Sequence, residues 1–327
     1  MKKISRASLF LQLLSGHFRS ERIWFENKIK AKFLLRSLML PLPTYYFLGG
    51  ICAMPCMQRL VKTHPCLPTK IHRPYLYVGL NATERAKAIC HHYTFVEGLS
   101  SPRLHDALLS ETPCRLAEFY GKEGEKFAIV SSVWRYDKEG ETTLQIGMEE
   151  TPLISLSFSI INILGQPAIV IGGLQGKGKQ TTRDLIKQAT KTCHGLFPKR
   201  LLIESLLTLA DLAGIRRVLA VGDGSHVYQS QRYHRSKKNV LFCSYDEFWT
   251  SLDAVPTHDS LYQLPLPIAR KPLEALPSNK RAQYRRRYQL IDELHAQLAE
   301  NLSAETFNRA DQLERMPIKK ASANALA

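Results

Sequence analysis

The segment Leu153-Ile-Ser-Leu-Ser-Phe-Ser-Ile-Ile161 begins the part of this 327-residue chain that decides its fold. Serines alternate with large apolar residues along it, and this period of two predicts a β-strand. Gly165 and Pro167 predict a turn, so the apolar run Ala168–Ile171 is expected to return beside the first strand as a hairpin. The rest of the chain is arranged around the segment that extends from this hairpin to Tyr228.

A glycine-rich loop and two predicted helices follow the hairpin. The loop reads Gly172-Gly-Leu-Gln-Gly-Lys-Gly-Lys-Gln180. Pro198 stands where proline is favoured in a first helical turn, and Gly214 stands where a left-handed residue ends a helix. The elements predicted here are a helix from Thr181 to Cys193, a helix over Lys199–Ala213 and a strand over Arg216–Val221.

Three further predicted strands precede the hairpin, at 115–120, 126–133 and 142–148. Five consecutive strands with short connections indicate a largely antiparallel sheet. The expected fold class is therefore α/β of the mixed α+β kind, with a largely antiparallel central sheet flanked by helices and a helical N-terminal region. The expected organisation is a basic, helical region over 1–80 that packs on the core or on a membrane surface, a single α/β domain with a C-terminal basic helix over 81–303, and a flexible tail over 304–327.

The chain is strongly basic, with a formal net charge of +16. Such an excess favours an anionic, phosphate-bearing partner, which is a lipid headgroup, a coenzyme or, on charge alone, a nucleic acid. Residues 1–36 contain nine Lys or Arg against two acids, with aromatic residues between them. This pattern suits an anionic membrane surface, and equally a helix that packs its apolar side on the core and leaves its basic side in solvent.

Seven cysteines without a C-x-x-C pair indicate reduced thiols, which favours a cytoplasmic protein. Ser37–Gln58 is the one long span without formal charge, but its three prolines argue against a membrane-spanning helix. The expected location is the cytoplasm, with peripheral contact at the inner membrane as the alternative. Nothing in the sequence points to a specific protein partner.

Two kinds of anion site are compatible with the glycine-rich loop. Gly173-x-x-x-x-Gly178-Lys179 fits a P-loop, but Gln180 stands where a P-loop has Ser or Thr. A P-loop also follows a parallel strand, whereas this loop follows an antiparallel hairpin. A degenerate P-loop nucleotide-binding protein is therefore the lesser alternative.

The order of antiparallel strands, loop, helix and strand resembles the GNAT superfamily of acyltransferases. In that superfamily the pyrophosphate of acyl-CoA meets backbone N–H groups at a helix N-terminus. Gln175-x-x-Gly178 matches the first part of the superfamily's signature, and Gln180 departs from its last position. The resemblance implies a GNAT-like core with acyl-CoA as cofactor, bound through Gln175, Gly176, Gly178, Gly195 and Lys199.

A polar segment follows the last buried strand of the unit. Asp223, His226 and Tyr228 cluster there, at a position where sites often form in α/β proteins. His226 is the candidate general base, Tyr228 or Ser225 the candidate proton donor, and Asp223 the third candidate catalytic residue. The alternative is that His226 is a structural histidine. No paired Cys/His spacing predicts a metal site.

The C-terminal basic helix contains a second candidate site. Its arginines could bind phosphate groups, with Tyr284 and Tyr288 placed for stacking or for contact with a membrane interface. The alternative is a solvated charged face. The candidate anion-binding or partner-binding residues are Arg281, Arg285, Arg286 and Arg287.

Several segments, taken in order, resemble the VirK/YbjX family of Gram-negative bacterial proteins. The resemblance implies a domain of unknown function, associated with virulence, envelope remodelling and resistance to cationic antimicrobial peptides. The expected function is thus that of an accessory protein of envelope modification, with an acyl-CoA-dependent acyltransferase as its enzymatic form. The alternative is a non-enzymatic basic module that binds anionic lipid or nucleic acid. The segments are Ile171–Gly176, His194–Lys199, Gly214–Leu219, His226–Tyr228, Arg232-Tyr233, Tyr245–Trp249 and Arg281–Tyr288.

Overall fold

The computed structural model describes residues 4–16, 24, 26–133, 135–176, 180–233 and 244–303. For residues 180–182 it describes the backbone only. The predicted cofactor-binding residue Gly178 and the predicted tail, 304–327, lie outside these ranges.

The N-terminal region is helical, as predicted. Pro41 and Pro55 each occupy the beginning of a helix, where a missing N–H costs nothing. The span without charge is therefore divided among three helices: the end of one, all of the next and the beginning of the third. Among the residues described, no helix is both long and apolar enough to cross a bilayer. The N-terminal helices are α1 (Arg6–Ser15), α2 (Asn27–Met39), α3 (Pro41–Ala53) and α4 (Pro55–Thr63).

Two helices connect this region to the sheet, α5 (Ala82–Glu97) and α6 (Pro102–Leu109). Asn81 caps α5 in a capping box, in which its side chain accepts from the backbone of Glu84 and the Glu84 carboxylate accepts from its backbone. α5 packs on the fourth strand of the sheet.

Eight strands form one sheet in the order β1-β2-β3-β4-β5-β6-β8-β7. Every neighbouring pair is antiparallel except β5 and β6, which are parallel. The predicted fold class, a mixed α/β protein with a largely antiparallel sheet and flanking helices, is confirmed. The strands are β1 (Cys114–Tyr120), β2 (Lys126–Val133), β3 (Thr142–Met148), β4 (Thr151–Ile163), β5 (Gln166–Gly176), β6 (Val218–Val221), β7 (Val255–Pro256) and β8 (Leu261–Gln263).

The connection between the parallel strands contains two helices, α7 (Gln180–Thr192) and α8 (Pro198–Leu212). Gly195 has φ +77° in the turn between them, a conformation that favours glycine. A short helix, α9 (Tyr245–Thr250), lies before β7, and the basic helix α10 (Ser278–Ser303) closes the described chain. α10 packs on α8 and β1.

One cluster of buried apolar residues includes both the N-terminal helices and the sheet. Leu13 and Phe33 belong to it together with Phe158 and Leu202. The serines of β4 are also buried: Ser157 hydrogen-bonds to Thr143, and Ser159 to Tyr75. The boundary predicted near residue 80 stays a prediction.

Candidate active site between β5 and β6

The two parallel strands diverge after a short contact. β5 pairs with β6 only from Ile169 to Ile171, whereas β5 continues to Gly176 and β6 ends at Val221. We call the gap between the diverging ends the wedge. Side chains of α9 bridge it: the hydroxyl of Tyr245 accepts from the Leu174 N–H at 3.1 Å, and the Trp249 indole N–H donates to the Val221 carbonyl at 2.7 Å.

The glycines at the end of β5 accommodate a neighbouring loop. Gly172 is the extra residue of a bulge opposite Ser157 and Phe158. A Cβ atom at Gly172 would lie 2.0 Å from the carbonyl oxygen of Glu139, and one at Gly173 would lie 2.0 Å from its Oε2 atom. The loop that contains Glu139 therefore approaches the strand more closely than any side chain on these glycines would allow.

Glu139 is the centre of a buried polar cluster at the wedge. Its Oε2 atom accepts from Gln175 Nε2 at 2.8 Å, and its carboxylate interacts with the Tyr228 hydroxyl. Its Oε1 atom lies 3.6 Å from His226 Nε2, and both side chains are 1% exposed. Neither of these two atoms has a hydrogen-bond partner in the described structure. We call Glu139, Gln175, His226, Tyr228 and Tyr245 the Glu139 cluster.

The position of the proton on His226 follows from its hydrogen bond. The Tyr228 backbone N–H donates to His226 Nδ1 at 3.3 Å, so a neutral ring has its proton on Nε2, facing Glu139. The ring stacks on Tyr245, with centroids 5.4 Å apart. A buried carboxylate and imidazole that face each other in this way can share or transfer a proton.

The two tyrosines of the cluster are held in the protonated form. Burial raises the pKa of Tyr228 and of Tyr245, and the charge of Glu139 raises both further. Tyr228 and Gln175 are only half-buried, whereas Glu139 and His226 are fully buried. A substrate would therefore reach the acid–imidazole pair past Tyr228 and Gln175.

Asp223 has a different environment. Its Oδ1 atom accepts from the backbone N–H of Tyr245 at 2.7 Å, and its Oδ2 atom accepts from the Ser244 hydroxyl at 2.9 Å. Both carboxylate oxygens thus hold the beginning of α9. The predicted catalytic role of Asp223 stays a prediction, and the structure indicates that this residue positions Tyr245.

The predicted cofactor-binding residues are divided between two places. Gln175 donates to Glu139, and Gly176 ends β5 beside it. Gly195 lies against α10, since a Cβ atom there would be 2.5 Å from Arg287 Nη2. Lys199 extends to α9, with Nζ 5.3 Å from the centre of the Phe248 ring. Their role in binding a coenzyme stays a prediction.

The four predicted arginines also differ from one another. Arg287 donates to the His194 carbonyl at 2.7 Å, which holds α10 against the turn between α7 and α8. Arg281 donates to the carbonyl oxygens just before its own helix. Arg285 and Arg286 are exposed and form no ion pair within the described residues. Of the four, these last two have guanidinium groups with no hydrogen bond to the described residues, so they are the first candidates for binding an external anion.

Glu139 was not predicted from the sequence as a site residue. It lies in the connection between β2 and β3, beside a second buried acid, Glu141, which pairs with Lys70 and accepts from the Tyr93 hydroxyl. Burial alone would raise the pKa of Glu141, but Lys70 outweighs this and holds it below its usual value. The available signal was Glu139-Gly-Glu141 itself, two acids about a glycine in a basic chain.

The fold and the Glu139 cluster together define a mixed α/β protein with a buried acid–imidazole pair between two parallel strands. The chain matches the family described as "Protein of unknown function (DUF535)" over residues 22–300, and it belongs to that family. The resemblance to the VirK/YbjX proteins is thereby confirmed.

The chain is similar to several curated bacterial proteins. It is 35% identical over 300 residues to the "Uncharacterized protein YbjX" of Escherichia coli, covering 91% of each chain. Two proteins of Haemophilus influenzae, both described as uncharacterized, are also similar. One is 33% identical over 42% of this chain and 45% of its own length. The other is 26% identical over 76% of this chain and 80% of its own length. No solved structure matches this chain significantly.

Proposed function

We propose that this protein is an acyl-CoA-dependent acyltransferase that modifies a component of the bacterial envelope. The observation on which the proposal rests is the Glu139–His226 pair, buried at the point where two parallel strands diverge. Polar side chains at the carboxyl ends of parallel strands are a common arrangement of active sites in α/β proteins. The sheet order, with helices connecting the one parallel pair, supports the GNAT-like organisation.

The wedge offers a thioester two kinds of contact. The edge of β5 beyond Ile171 has no neighbouring strand on the β6 side in the described structure, so the amides of a pantetheine chain could pair with it as an added strand would. The Tyr245 hydroxyl, which now accepts from Leu174 N–H, would give way to a substrate carbonyl. The backbone N–H groups at the beginning of α7 suit the pyrophosphate.

The Glu139 cluster supplies the proton transfers of acyl transfer. The nucleophile of the acceptor, an amine or hydroxyl, attacks the thioester carbonyl and loses its proton to the Glu139–His226 pair. The carbon–sulfur bond then breaks, and Tyr228, held protonated by its surroundings, gives a proton to the departing thiolate. The Glu139–His226 pair then passes the acceptor's proton to Tyr228, which restores both groups. The acceptor gains the acyl group and coenzyme A leaves as the thiol.

The link to the envelope rests on the family resemblance. It is the reason for proposing an envelope component as acceptor, and for proposing effects on virulence and on resistance to cationic antimicrobial peptides. We propose that the reaction takes place at the cytoplasmic side of the inner membrane, because coenzyme A is found in the cytoplasm.

Isothermal titration with acetyl-CoA and with a long-chain acyl-CoA tests the binding step. We expect micromolar binding of at least one thioester, and weaker binding of adenosine 3′,5′-bisphosphate, which lacks the pantetheine chain. Gln175→Ala should weaken thioester binding, whereas Gln289→Ala, at an exposed position on α10, should not. An absence of heat with every thioester up to millimolar concentration would rule out the enzyme.

A second candidate function is a non-enzymatic module that binds phosphate-rich partners. The observation in its favour is the exposed pair Arg285 and Arg286. DNA retardation over a series of salt concentrations tests the nucleic-acid form, since counterion release makes such binding weaken steeply with salt. Binding that Arg285→Ala/Arg286→Ala leaves unchanged would exclude this surface.

A further inference from the structure

The helices α2 and α3 present an apolar surface to solvent. Its central members are Leu38, Met39 and Leu42, which are 69%, 71% and 78% exposed. Exposed large apolar side chains recur every three or four residues through both helices, so within each helix they share one side. The full set, which we call the α2–α3 face, is Leu34, Leu35, Leu38, Met39, Leu42, Tyr45 and Tyr46.

This face is additional to the one with which the helices pack on the protein. Phe33 in α2, and Phe47 and Ile51 in α3, are fully buried and belong to the central cluster. Each helix is therefore apolar on two sides. One side packs on the protein, and the other is exposed, with the Arg6 guanidinium 4.2 Å from the centre of the Tyr45 ring. Clusters of exposed apolar side chains on this scale mark surfaces of interaction, because apolar surface in contact with water is unfavourable and burial against a partner removes it.

The charged residues within α2 and α3 themselves are all basic. On a helical wheel, Lys28 and Lys32 fall on the same side of α2 as Leu35 and Met39, two turns and one turn before Leu35. No Asp or Glu occurs between Glu26 and Glu84. Apolar side chains bordered by lysines, without acids, are the pattern of a helix that lies in the interface of an anionic bilayer.

We propose that the α2–α3 face is a docking site for an anionic lipid membrane. Leu38, Met39 and Leu42 enter the boundary between headgroups and acyl chains, and Lys28 and Lys32 bind lipid phosphates. Tyr45 and Tyr46 lie at the headgroup level, where tyrosine is favoured. The docking site is independent of the wedge, and it holds whether or not the protein binds a thioester.

Vesicle flotation of the full chain tests the docking site. The wild type should float with vesicles of phosphatidylcholine and phosphatidylglycerol, float less with phosphatidylcholine alone, and be released by salt. Leu38→Ser/Met39→Ser/Leu42→Ser should lower the partition coefficient at least about tenfold. The matched control, Leu164→Ser/Val255→Ser, removes side chains that are 93% and 63% exposed and should float like the wild type.

A second pair of variants tests the charge. Lys28→Ala/Lys32→Ala should reduce binding to anionic vesicles by roughly fivefold per lysine at low salt, and Lys271→Ala/Lys280→Ala should have less effect. Circular dichroism of every variant verifies the fold. The proposal would be overturned if the triple serine variant floated like the wild type, or if the wild type did not float. A dimer in sedimentation that the triple variant abolishes, without vesicle binding, would assign the face to a second copy of the chain instead.

Discussion

Glu139 Oε1 lies 3.6 Å from His226 Nε2, and both side chains are almost completely removed from solvent. The contact joins the connection between β2 and β3, which contains Glu139, to the segment after β6, which contains His226. The end of β5 contributes through Gln175, which hydrogen-bonds to Glu139. A buried carboxylate that faces an imidazole rather than an arginine or lysine is costly to maintain for stability alone. Its position at the wedge is the observation on which the proposed acyl transfer rests.

The close approach of Glu139 to β5 predicts a marked difference between glycines. Gly172→Ala would place a Cβ atom 2.0 Å from the Glu139 carbonyl oxygen, so we expect a loss of about 2–4 kcal/mol in the free energy of unfolding. Gly224→Ala has open space around its Cβ atom and should change stability by less than about 1 kcal/mol. Urea unfolding of both variants measures this, and equal losses would contradict the described contact.

The buried pair Lys70–Glu141 predicts a non-additive effect. Lys70→Met leaves the Glu141 carboxylate buried without its cation, which should cost about 3–5 kcal/mol of unfolding free energy. Adding Glu141→Gln removes the charge and retains an acceptor for the Tyr93 hydroxyl, so the double variant should be more stable than Lys70→Met. Chemical unfolding of the two single variants and the double variant measures the coupling. A double variant as unstable as the sum of the singles would show that the pair does not interact.

The buried histidine His92 predicts a dependence of stability on pH. Its Nδ1 atom accepts from the Ile160 N–H at 3.1 Å, and burial lowers its pKa to about 4 although Glu141 acts in the opposite direction. In the unfolded chain this histidine binds its proton near pH ~6.5. Its contribution to the free energy of unfolding is therefore fully present above that pH and is lost as the pH decreases toward about 4. The loss from this one group should approach about 3 kcal/mol.

His92→Gln keeps an acceptor for Ile160 but cannot titrate. The slope of unfolding free energy against pH between about 4 and about 6.5 should therefore be smaller in this variant than in the wild type. His258→Gln, at an exposed position, serves as control and should leave the slope unchanged. Identical slopes for wild type and His92→Gln would show that His92 binds its proton equally well in the folded and the unfolded protein, which would contradict the lowered pKa.

The arginines of α10 should separate into two groups. Arg287→Ala removes a donor to the His194 carbonyl and should lower the unfolding free energy by about 1–2 kcal/mol. Arg285→Ala and Arg286→Ala, at exposed positions, should leave stability within about 0.5 kcal/mol of the wild type. Thermal unfolding of the three variants measures the difference, and a destabilisation by Arg285→Ala as large as that by Arg287→Ala would contradict it.

Local signals in the sequence predicted much of the fold. The period of two at Leu153–Ile161 became β4, and Pro198 opens α8 as expected. The parallel pairing of β5 with β6 was not predicted, because pairing between strands separated by two helices leaves no local pattern. For the same reason Glu139 was not predicted as a site residue, because its partners Gln175 and His226 are distant in sequence. His226 and Tyr228 were identified because they follow a buried strand directly.

The proposed reaction requires the Glu139–His226 pair to transfer a proton during acyl transfer. The direct test compares thiol release from acyl-CoA, in the presence of a primary amine acceptor, between the wild type and Glu139→Gln. Glutamine preserves the size of the side chain but cannot accept a proton, so we expect release to fall at least about a hundredfold while thioester binding in calorimetry is retained. Equal rates of thiol release in the two proteins, with both folded and both binding the thioester, would contradict the claim.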